Sequence, residues 1–329
     1  MSVEKKTICF IIVLRALATC LITNSHYVGI YPTDLIANGG LLGDVLFFAI
    51  SGYCLYHVKG NFVSWYGKRI WRVYPPVIII TLIYLIIGAY SWEQFSIFGW
   101  FVYPTYYHFV ASIILLYIPF YFIMKYEVLR KRIPMIMCAI AIVSLIVYVI
   151  AYDKSYYHID KVREPMIRFL FMESMLLGAY FRQHDDKMRK QSKPWLPWVV
   201  SACLVGYFAS KLIFSKIDRL SEWQMINWAT IFVLLYFLFR YVCSKDALLE
   251  KMPPVIMKIC GLLANMTLEI YCVQYVLRDW VREHLTFPIS WFVLTIAILV
   301  AAYLLKLISL LITRSVEHVF NQVLIKKGE

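Results

Sequence analysis

Charge is scarce in this chain and unevenly signed. Asp and Glu number 20 against 33 Lys and Arg, and charged residues are only 16% of the 329, where soluble domains carry about a quarter. A surface so poor in charge excludes a soluble domain of this length. The 61% of hydrophobic residues and a mean hydropathy of +0.68 place the chain in a bilayer instead. The eight cysteines, at 9, 20, 54, 138, 203, 243, 260 and 272, lack any spacing that suggests a disulfide framework or a zinc site, and read as small packing residues. The seven histidines fall in separate segments with no HxxxH or HExxH among them, so no metal is expected. Internal repeats, low-complexity tracts and long linkers are also missing, which predicts one membrane domain over residues 1–329.

Apolar stretches long enough to cross about 30 Å of hydrocarbon recur at 8–28, 39–58, 73–90, 106–124, 133–152, 165–181, 195–215, 225–243, 259–277 and 289–313. The fold class predicted is therefore all-α, a polytopic membrane protein of about ten transmembrane helices. With the amino terminus inside, the inner segments hold 22 Lys and Arg and the outer ones eight, counting Lys211 at the end of its span. Cytoplasmic loops retain Lys and Arg, so both termini are expected in the cytoplasm. The net charge of +13 is then a matter of orientation. Basic residues spread over short loops form no nucleic-acid-binding domain, and no nucleic-acid partner is expected. Residues 1–18 resemble the start of a signal peptide, but only seven apolar residues precede Arg15, and the segment reads as an uncleaved span.

Arg15 and His26, in RALATCLITNSH, carry the strongest signal. On a continuous helix they would share a stripe about 16 Å apart, one deep in the bilayer and the other near its outer edge. An arginine among Ile11, Ile12, Val13, Leu14 and Leu17 is costly in lipid, and faces a bundle interior or a water-filled cavity, or ties helices together. In the second stretch Asp44, Phe48, Ser51 and Leu55 fall on one stripe. Asp44, at the depth of His26, either orients the imidazole as a base or caps its helix near Gly43. Ser51 and Gly52 either let helices approach closely or leave room for a ligand. Arg69 and Arg72, three apart in KRIWRVYP, form a fork suited to phosphate oxygens, with Trp71 and Tyr74 at the same level; any positive-inside cluster looks similar. Glu269, within the ninth stretch, is either functional or half of a structural ion pair.

Taken together, RALATCLITNSH, GDVLFFAISGY and KRIWRVYP resemble, in order and spacing, the bacterial membrane-bound acyltransferase 3 family. ANMTLEIYCVQYVL is similar to a late signature of that family, but has Thr267 and Gln274 where Ser and His are usual. The resemblance implies a stand-alone membrane O-acyltransferase, with acetyl the commonest group, in the cytoplasmic membrane. Its co-substrate would be acetyl-CoA or another acyl-CoA, with no bound cofactor. The partners implied are acyl-CoA, the lipid bilayer, and a cell-surface glycan or lipid-linked sugar. His26, Asp44 and Arg15 would be catalytic; Arg69, Arg72 and Tyr74 would hold acyl-CoA; Ser51 and Glu269 would support them. A transporter or flippase of a lipid-linked saccharide is the competing class, although no repeated half with broken helices is visible in the sequence. A polysaccharide polymerase would need longer outer loops than those near 91–105 and 153–164.

Overall fold

In hydrocarbon every backbone N–H and C=O must be bonded inside the segment or its bundle, which leaves this chain the helix as its spanning element. The computed structural model describes residues 8–326, with side chains up to residue 315, and contains no strand among the described residues. The main helices are α1 Cys9–Ser25, α2 Gly40–Leu55, α3 Phe62–Ile86, α4 His108–Lys125, α5 Ile133–Ala151, α6 Ile167–Gln183, α7 Leu196–Lys216, α8 Met225–Ser244, α9 Pro254–Asn265, α10 Thr267–His284 and α11 Ile289–Lys326. Each predicted apolar stretch is helical. By length and composition six of these helices can cross a membrane, or seven if α9 and α10 count as one bent span. The chain is an all-helical, multi-pass membrane protein.

Two boundaries differ from the sequence reading. The third span was expected to begin at residue 73, yet α3 starts eleven residues earlier. Asn61 caps it, accepting from Ser64 N–H at 2.9 Å, a strong helix start, and the helix runs on through Pro75 and Pro76. Those prolines bring no N–H to the carbonyls of Trp71 and Arg72. The ninth span is broken at Met266, between α9 and α10. Lys306 of α11 donates to the carbonyl of Asn265 at the end of α9, so a cation satisfies a helix C-terminus at the break.

Of the described residues, one compact unit takes those up to Cys20, Leu41–Gly60 and Ser112–Ala264; a second takes Leu21–Gly40, Asn61–Ala111 and those from Asn265 onward. In the first unit α6 packs on α5 and α8, and α8 on α7. Glycine decides how α2 meets α6. A Cβ on Gly52 would sit 1.8 Å from the Met175 carbonyl oxygen, and one on Gly178 1.8 Å from that of Ala49. The backbones therefore touch, with Phe48 stacked on Phe171 at 4.2 Å beside the crossing. Of the two readings of Ser51-Gly52, close packing is the one Gly52 serves.

A polar knot closes one end of this unit. Phe10 N–H, in the first turn of α1, donates to Asp246 Oδ1 at 2.8 Å, satisfying a donor that a helix start leaves open. Arg189 bridges Asp246 and Asp185, the latter at 2.9 Å. The Tyr53 hydroxyl donates to Asp185 at 2.7 Å and accepts from Arg182 at 3.1 Å and Arg189 at 3.2 Å. Two arginines and two aspartates balance, so these members of the basic excess serve the fold. At another edge residues 153–166 lie down on the bundle: Asp160 pairs with Lys211 at 2.6 Å, and the Gln224 amide accepts from the N–H groups of His158 and Ile159, both at 2.9 Å.

In the second unit α3, α10 and α11 pack together. The connection expected as a short outer loop near 91–105 runs back along α3, because the Tyr74 hydroxyl of mid-α3 donates to the Val102 carbonyl. Phe98–Val102 is a single π-helical turn within it. The Tyr84 and Tyr107 hydroxyls donate to the carbonyls of Val273 (3.0 Å) and Cys272 (3.4 Å) on α10.

Candidate active site

His26 lies in the second unit, directly after the last residue of α1. Its N–H donates to the Thr23 carbonyl at 3.0 Å, a turn that follows the end of α1. The chain that follows is held firmly. Tyr27 and Thr295 share a hydroxyl bond at 2.9 Å, Trp291 donates to the Tyr31 hydroxyl at 3.0 Å, and Tyr31 donates to Asn24 at 2.6 Å. Asn24 in turn donates to the carbonyls of Ile36 and Asn38 at 2.8 and 2.9 Å. Gly29, at φ +79°, has Arg282 so near that an added Cβ would sit 2.6 Å from its Cδ. A glycine is needed there both for the left-handed backbone and for the space.

The imidazole itself is framed by α10. Its ring centroid is 4.8 Å from that of Tyr275 and 6.3 Å from that of Tyr271, both edge-on. The Tyr275 hydroxyl is 3.5 Å from Nε2, the outer limit of a hydrogen bond. Behind these rings stand Tyr106, 5.7 Å from Tyr275, and Tyr107, 5.9 Å from Tyr271. Aromatic walls fix the plane of His26 while leaving Nε2 only a weak partner, which an incoming hydroxyl can displace. Tyr271 and Tyr275 escaped the sequence reading. Their i, i+4 spacing in EIYCVQY was the available signal, but aromatic pairs at that spacing more often belong to a core.

The other expected residues are distributed as follows. Arg15 and Asp44 belong to the first unit. Arg15 is half-buried, its guanidinium carbon 5.8 Å from the centre of the Phe47 ring. Asp44 is buried and stands four residues past Gly40, the first residue of α2, so it does not cap that helix. Ser51 is half-buried beside the Gly52 crossing. Arg69, Arg72 and Tyr74 belong to the second unit on α3. Arg72 is exposed, Arg69 lies over the Trp65 ring at 4.8 Å, and the Tyr74 hydroxyl is engaged by Val102. The fork expected of Arg69 and Arg72 is thus on helix, with one guanidinium stacked and one in the open. Glu269 is half-buried in the first turn of α10, where a carboxylate favours the helix dipole.

No curated protein and no solved structure matches this chain. A family model described as an acyltransferase domain matches residues 9–308, which takes in α1 through most of α11, the framed histidine, and the arginines of α3. The chain belongs to the acyltransferase 3 family.

Proposed function

We propose that this membrane acyltransferase moves an acyl group, most simply acetyl, from cytoplasmic acyl-CoA to a hydroxyl of a cell-surface polysaccharide or its lipid-linked precursor. The observation that supports this reading best is His26, oriented by two tyrosine rings and weakly engaged at Nε2. Such a nitrogen suits a general base. The acceptor hydroxyl gives its proton to Nε2, its oxygen bonds to the thioester carbon, and the carbon–sulfur bond breaks with its electron pair leaving on sulfur. The proton then passes from the imidazolium to the departing thiolate. Asp44 orients the base and Arg15 offers a charged contact on the acyl group's way in, as the sequence pattern suggests.

The adenosine phosphates of the donor cannot enter hydrocarbon, and Arg69 and Arg72 suit them by charge. Membranes given acetyl-CoA labelled in its acetyl group should yield labelled glycan. In that assay Arg69→Ala and Arg72→Ala should each raise the KM for acetyl-CoA about tenfold, with Arg72→Lys recovering part of it. An unchanged dependence of rate on acetyl-CoA in both variants would move the donor site elsewhere.

The break at Met266 lends some support to a carrier of a lipid-linked saccharide, since transporters build sites at discontinuous helices. Labelled glycan separates the two readings, because a carrier need not take acetyl from acetyl-CoA.

Sidedness is a further expectation. Reporters after Glu329 and near Lys187 should give a cytoplasmic signal, and tags near Thr33 and Ser221 an external one. A cytoplasmic tag at Thr33 would put His26 with cytosolic acceptors and discard the glycan.

A further inference from the structure

Among the described residues three side-chain amides of Asn or Gln are fully buried, and two of them are well bonded. Gln224 accepts from His158 and Ile159 and donates to the Tyr156 carbonyl at 3.0 Å, while Asn227 meets Ser210 and the Tyr157 hydroxyl, both at 2.6 Å. The third is Gln274, with no exposed surface and no hydrogen-bond partner at either Nε2 or Oε1. An unmet buried amide disfavours the folded state, and hydrocarbon surroundings make it worse. Folding therefore gives no reason for an amide at this position.

Its place on α10 gives one. Gln274 is three residues past Tyr271, its neighbour along the helix surface, and about 100° round the axis from Tyr275; those two rings pack on His26. The backbone around it is pinned by the Tyr84 and Tyr107 hydroxyls on the carbonyls of Val273 and Cys272. A preorganised, uncharged N–H donor on the helix that frames the base is what acyl transfer needs at the carbonyl oxygen.

We propose that the Gln274 side-chain amide donates through Nε2 to the acyl carbonyl oxygen and stabilises the oxyanion formed during transfer. When the acceptor oxygen bonds to the carbonyl carbon, the C=O π pair moves onto the oxygen facing Nε2. When the carbon–sulfur bond breaks, that pair returns, the carbonyl reforms, and sulfur leaves with the bonding electrons. Oε1 is left to accept from a hydroxyl of the acceptor. This rests on the acyl-transfer reading above.

The test is Gln274→Leu, which keeps the bulk and removes both polar ends, assayed in purified protein and in membranes with labelled acetyl-CoA. The expected result is a fall in kcat of about 10²–10³, a KM for acetyl-CoA within twofold of wild type, and a melting temperature equal or higher. Gln274→Glu, lacking the N–H donor, should lose as much, and Gln274→His, which restores one, should recover part. Wild-type turnover in Gln274→Leu overturns the proposal, as does a lower melting temperature alongside the loss, or a raised KM with kcat unchanged. A wild-type protein that transfers no acetyl sinks the acyl-transfer reading, and the role of Gln274 with it.

Discussion

Replacing His26 with alanine is expected to lower acyl transfer by about 10³-fold or more, the upper range for losing a positioned base, while the protein still inserts and purifies. Two features of the site set that outcome. The imidazole makes edge-on contacts with the Tyr271 and Tyr275 rings and one long contact at Nε2, so among the described residues its removal breaks no short hydrogen bond of the ring. The turn at Thr23 uses only the backbone N–H of residue 26, which alanine keeps, and the Asn24–Tyr31–Trp291 bonds are made by other residues. Tyr275→Phe separates base from frame: it keeps the ring and removes the 3.5 Å contact, so it should retain most activity. Normal acylation of glycan in the His26→Ala strain would remove the base from the mechanism.

The second large effect is on the fold. Gly178→Ala places a methyl 1.8 Å from the Ala49 carbonyl oxygen, a distance no rotamer relieves, because both atoms belong to backbone or Cβ. The helices must separate, with loss of the Phe48–Phe171 stack. We expect destabilisation of about 3 kcal/mol or more, seen as a drop of about 10 °C in the melting temperature of detergent-purified protein. Gly52→Ala should behave alike against Met175. Gly206→Ala is the control: its methyl meets only Thr230 at 4.0 Å, and alanine favours a helix interior by about 1 kcal/mol. Equal melting temperatures for Gly178→Ala and wild type would show that the crossing tolerates separation.

Much of this architecture was readable because lipid imposes a single rule. An apolar stretch must become a helix, so the positions of the helices followed from composition. What the rule does not reach was missed. The start of α3 at Asn61 depends on a polar cap outside the apolar run, and the break at Met266, between Asn265 and Thr267, lies in a stretch still apolar enough to read as one span; Lys306 from α11 answers it. The fold-back near Val102 uses the hydroxyl of Tyr74, a residue expected to hold acyl-CoA. At the site, His26 was found because a polar residue in an apolar run is conspicuous. Tyr271 and Tyr275 were passed over because tyrosine among apolar residues is not, and Gln274 drew notice only for the histidine it replaces. Balanced charge was equally hard to see: Arg182 and Arg189 counted as two of many cations until Asp185 and Asp246 stood beside them.

That knot also orders events in time. A polypeptide emerges amino end first, and Phe10 lies 236 positions ahead of the aspartate its N–H requires, while Arg189 waits 57 positions for the same carboxylate. α1 is thus made long before the residue that anchors its start. Until Asp246 is made, the start of α1 lacks this partner, and the later synthesis of one acidic side chain completes a helix made well before it.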